Sequence, residues 1–88
     1  MKKEQVQVLI DAAIAMVDEA VAAHERGEPA DLSVSMLLEV RTELERMAMA
    51  MSPKIFRLGF GRFFLEWPDE HGLVKRLMEA EYHYERMK

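Results

Sequence analysis

"VLIDAAIAMVDEAVAA", residues 8–23, is the stretch on which the fold of this 88-residue chain turns. Only Asp11, Asp18 and Glu19 carry charge in it. At 100° per residue, Val6, Ile10, Ile14, Val17 and Val21 form one apolar stripe of a helix. Leu9, Ala13, Met16 and Ala20 form a second stripe beside the first. Together they span about half the circumference, wider than the ~100° arc of an ordinary surface helix. Asp11, Asp18 and Glu25 recur seven apart and mark the solvent line. A helix apolar over that width needs neighbours on two sides. It is predicted over about 3–26, stopped by Gly27 with Pro29 just beyond.

Those neighbours lie further along the chain. A second helix is predicted over about 32–51, opened by Asp31 or Ser33, either of which can accept a hydrogen bond from the first turn. Pro53 closes it, because proline disfavours helical geometry in the residue before it. Leu37, Val40, Leu44, Met47 and Met51 make its apolar stripe at three- and four-residue spacing. Leu38 and Met49 fall on the opposite, charged side, among Thr42 and Glu45. The short link 27–30 folds the first two helices into an antiparallel hairpin. A third helix is predicted over about 69–87, with Asp69 as N-cap and Gly72 weakening the first turn. Leu73, Leu77, Ala80, Tyr84 and Met87 make its buried stripe, with Val74 and Met78 off to one side.

Between the second and third helices stands "RLGFGRFFLEW", residues 57–67, with four of the seven aromatics. Residues 54–67 fit a short β-hairpin turning at 59–62, with an irregular loop or short helix as the rival. In the hairpin reading, Phe56, Leu58, Phe63, Leu65 and Trp67 cap the open end of the helical hairpin. The other face would then offer Arg57, Phe60, Arg62 and Phe64 to a partner as an aromatic and basic patch. The expected fold is one mainly α domain over 1–88: a helical hairpin plus a C-terminal helix, with the β-hairpin segment between helices 2 and 3.

Charge and composition narrow the function classes. The net charge is −4, with −5 in residues 1–51, +2 in 52–68 and −1 in 69–88. That overall sign opposes polyanion binding, since phosphate neutralisation supplies most non-specific affinity for nucleic acid. There is no cysteine, hence no disulfide, thiolate nucleophile or cysteine-based zinc site. Glu79 and His83 share a helix face at i, i+4, but nothing completes a ligand set, so no metal or cofactor is expected. Ser33, Ser35 and Ser52 have no paired base in any recognisable motif. The longest apolar run, 12–17, is far shorter than the ~20 residues that span a bilayer. Glu4 and Asp11 interrupt any signal peptide.

The expected function is that of a small, soluble, cytoplasmic protein–protein interaction module without catalytic activity, acting as a homodimer. Its partner-binding residues would be Arg57, Phe60, Arg62, Phe64, Leu38 and Met49. The dimer interface would be a strip of Leu9, Ala13, Met16 and Ala20 left wet on the first helix. The alternative is a small regulator contacting nucleic acid through residues 54–67 with Lys75 and Arg76.

Overall fold

The structure, a computed structural model, describes residues 2–30, 32–57, 59 and 67–87. It is mainly helical, with α1 (Lys3–Glu25), α2 (Val34–Ala50) and α3 (Leu73–Glu85). Helix α1 lies between the other two and packs against both, while α2 and α3 scarcely meet. Leu73, opening α3, shares a groove with Met16, Ala20 and Ala23 near the end of α1. Met51, closing α2, lies beside Lys3, Glu4 and Gln7 at the start of α1. Both flanking helices therefore run antiparallel to α1 and parallel to each other.

The core is built from Val6, Ile10, Ala13 and Val17 of α1 against Leu37, Val40, Leu44 and Met47 of α2 and Leu73, Val74, Leu77, Ala80 and Tyr84 of α3. Ile14 and Val21 border the α1 stripe on one side, and Leu9, Met16 and Ala20 border it on the other; all five are partly buried against the core. The two-sided apolar width of α1 is thus used by two separate helices. Val74 is buried rather than set to one side, because α3 turns a broader face to α1 than a single stripe.

The helix ends follow local chemistry. Ser33 Oγ accepts from the Met36 N–H at 3.2 Å and opens α2. At the end of α1, the Glu28 N–H donates to the Ala23 carbonyl (2.8 Å) and the Gly27 N–H to that of His24 (3.0 Å). With Gly27 at φ +76°, this is the paired closure that a left-handed glycine permits. The His24 ring, through Nε2, lies 2.7 Å from the Leu32 carbonyl and ties the link to α1.

Helix α3 starts four residues later than the sequence predicts. The chain bends at 70–72, and Gly72 takes the N-cap place at φ +79°. Asp69 still caps, at a distance: its carboxylate accepts from the N–H groups of Val74 (2.9 Å) and Lys75 (3.1 Å). Gly72 is therefore the turn that lets Asp69 reach the helix, and it does not weaken a helical interior.

No strand is present among the described residues, and the expected β-hairpin is corrected accordingly. Its first strand was to begin at Lys54. Instead residues 53–55 form a turn, with the N–H groups of Ile55 and Phe56 both donating to the Ser52 carbonyl at 3.1 Å. Met51, left-handed at φ +45°, and buried Pro53 divert the chain out of α2 and into that turn. Leu58 and residues 60–66, where the rest of the hairpin was placed, lie outside the described residues.

Candidate functional site

Two surface features of the bundle are shaped for contact. The first is a groove of about 250 Å³ between the C-terminal half of α1, the link 28–30 and the start of α3. Met16, Ala20, Ala23, Pro29 and Leu73 supply its apolar surface, with Glu19, Arg26, Glu28 and His71 around them. Arg26 donates to Glu28 (2.7 Å) and to Glu19 (3.0 Å). The hydrogen bond from Arg26 holds the Glu28 carboxyl below the usual carboxylate range. These are exposed pairs, contributing little to stability.

The second is the outer side of α2, turned away from the core. Val34, Leu38 and Met49 are exposed there, Leu38 at 50% and Met49 at 87%. Between Leu38 and Met49 stand Arg41 and Glu45, which pair with each other one helical turn apart. Arg41 also reaches across to α1, its Nε donating to Asp18 at 2.6 Å. The bond to Asp18 is the main cause of the raised Arg41 pKa. Arg41 is thereby held in one orientation between Leu38 and Met49 on a mixed face.

The expected site residues separate in the structure. Leu38 and Met49 are exposed on one face of α2, as the periodicity placed them. Arg57 is exposed but engaged: its Nε donates to the Pro53 carbonyl at 3.2 Å and lies 3.6 Å from the Glu85 carboxylate. Phe60, Arg62 and Phe64 lie outside the described residues. Lys75 is exposed, and Arg76 lies 3.8 Å from Glu79.

The strip assigned to dimerisation needs correction at Ala13, which has no accessible surface. Leu9, Met16 and Ala20 are themselves half-buried against the core. The physical reason is α3, which packs on α1 and sets Leu73 beside Met16 and Ala20 on that flank.

Some contacts went unforeseen. The Tyr84 hydroxyl donates to the carbonyls of Ser52 (2.7 Å) and Phe56 (2.6 Å), fastening the chain after α2 onto α3. A buried tyrosine needs a partner for its hydroxyl, and that requirement was the available signal. On the exposed side of α3, the Arg86 guanidinium lies 3.7 Å from the Tyr82 ring centroid, one turn along, and the His83 ring meets Tyr82 edge-on. Burial and the nearby Glu85 charge push the Glu81 carboxyl above its ordinary range.

Among the described residues, no group of three or more His, Asp or Glu is placed to hold a metal ion. None of the described helices is long and apolar enough to cross a membrane. No family model matches the chain, and no curated protein or solved structure matches it either.

Proposed function

We propose that this chain is a small, non-catalytic protein–protein interaction module that works as a homodimer in the cytoplasm. The observation that carries this reading is the outer side of α2. Neither Leu38 nor Met49 belongs to the core formed by the described residues, yet both stand exposed on one helix face. They stand about 16 Å apart along the helix with the Arg41–Glu45 pair between them, an apolar–charged–apolar order that a partner of matching order would cover. The cysteine-free composition suits a reducing compartment.

Sedimentation of the intact chain from about 1 µM to 1 mM tests the homodimer, a range that detects association down to about −4 kcal/mol. A concentration-dependent rise towards twice the 10.2 kDa monomer mass is expected. A single monomeric species throughout would remove the homodimer from this reading.

A further inference from the structure

Resting on the homodimer reading, we infer that the second copy docks on the outer face of α2, in antiparallel two-fold pairing of α2 with its counterpart. The argument is the order of side chains along that face. The face carries Val34 and Thr42 as well, and among them, from its N-terminal to its C-terminal end, stand Leu38, Arg41, Glu45 and Met49 at spacings of three and four residues. The order is apolar, cationic, anionic, apolar.

Turned end for end, this series complements itself. A two-fold axis close to residues 43 and 44 sets Leu38 against Met49 of the second copy and Arg41 against its Glu45, and repeats both contacts by symmetry. Apolar surface then meets apolar surface at each end, and opposite charges meet in the middle. Parallel pairing in register would instead place Arg41 on Arg41 and Glu45 on Glu45.

The monomer already prepares the charged part. Asp18 of α1 grips the Arg41 Nε at 2.6 Å and fixes the guanidinium, while another nitrogen faces Glu45. Glu45 of the second copy joins a cation whose position is settled in advance. That lowers the ordering cost of association. The two apolar side chains most exposed on α2, Leu38 and Met49, are the ones this pairing covers.

The absence of cysteine makes the test direct. Leu38→Cys and Met49→Cys chains are prepared separately, mixed and oxidised. Antiparallel pairing brings positions 38 and 49 of opposite copies together. It holds 38 and 38 of the two copies about 16 Å apart along the axis, beyond the ~7 Å reach of a disulfide. A mixed 38–49 disulfide that dominates both same-site products is the expected result; a statistical mixture, or a dominant same-site product, overturns the inference.

Sedimentation of Glu45→Arg, which sets a cation against Arg41 of the second copy, should show self-association weakened by about ten-fold or more. Should that variant fail to fold, Glu45→Gln removes the attraction without adding repulsion, and a loss of about three-fold is expected. Unchanged association of the folded variant overturns the pairing. Wild-type association without the mixed disulfide would refute this face alone, whereas a wild-type monomer would refute the homodimer itself.

Discussion

The Tyr84 hydroxyl, in the last turn of α3, lies 2.6 Å from the carbonyl oxygen of Phe56. It lies 2.7 Å from that of Ser52, so one proton is shared between two carbonyls of the turn that leaves α2. The ring is fully buried, and its polar tip finds its partners in the turn that follows α2. Tyr84→Phe keeps the ring and removes the donor. It should lower stability by about 1–2 kcal/mol, read as a shift in urea midpoint with unchanged slope. A loss below about 0.3 kcal/mol would mean that water replaces the hydroxyl at no cost.

Tyr84 also gives the protein an alkaline limit. Burial, the first cause, and the charge of Glu85 raise its pKa above the ordinary phenol value. The folded state thus keeps the phenol proton at a pH where the unfolded chain has lost it. Stability from this group is fully present below about pH 10 and declines as pH rises through the folded value, by at most about 1.4 kcal/mol per pH unit. Denaturation of wild type and Tyr84→Phe between pH 8 and about 11.5 checks the sign. The two curves should converge as pH rises, and parallel curves would contradict the assignment.

Asp69 should behave as an N-cap although it lies four residues before α3. Asp69→Ala removes the acceptor of two backbone N–H groups, those of Val74 and Lys75. A loss of about 1 kcal/mol is expected, with Asp69→Asn recovering part of it. Amide exchange at Val74 and Lys75 should accelerate more than at Ala80. Equal acceleration along α3 would point to global destabilisation instead.

Gly72 isolates the cost of backbone conformation. A Cβ there meets nothing within 4 Å, so Gly72→Ala introduces no clash, only a left-handed alanine at φ +79°. The expected loss is about 1 kcal/mol. A neutral result in thermal unfolding would show that the turn at 70–72 adjusts to a normal φ without releasing α3.

The buried alanine of α1 separates core from surface. Ala13→Leu should cost about 1–3 kcal/mol, because a fully enclosed position has no room for three more carbons. Ala15→Leu, on the exposed side, should change stability by no more than about 0.5 kcal/mol. Equal effects in chemical denaturation would mean that α3 does not close over Ala13.

The three helices were legible because each carries its own period and its own stop. The half-circumference of apolar residues on α1 announced two neighbours, Gly27 marked the end of α1, and of Asp31 and Ser33, the two residues offered for the start of α2, Ser33 is the one that caps it. What escaped was tertiary. Nothing in the spacing of Leu9, Ala13, Met16 and Ala20 says whether α3 or a second chain covers them; only the direction of α3 decides. Asp69 was recognised as a capping residue but placed directly at the helix start, because a cap reaching across a left-handed Gly72 has no local signature. Lys54 and Ile55, which open the segment 54–67 read as a β-hairpin with an irregular loop or short helix as its rival, lie instead in the turn 53–55, because Pro53 diverts the chain as soon as α2 ends. Of the surface residues, Leu38 and Met49 could be found by periodicity alone, while the Arg41–Asp18 bridge joins residues 23 apart in sequence and could not.

The placement of α1 between two helices that scarcely touch each other has a consequence for the order of assembly. The α1–α2 pair closes through the eight residues 26–33, a shorter return than the one before α3, which makes it the more local event. α3 must return across residues 51–72 and can dock only on a surface that α1 already presents. A chain cut after α2 would keep a coherent pair with one uncovered flank. A chain lacking α1 would hold two helices joined by little more than the Tyr84 contacts to the turn after α2. Helix α1 is thus the scaffold on which α2 and α3 both condense, and damage to it is felt by both at once.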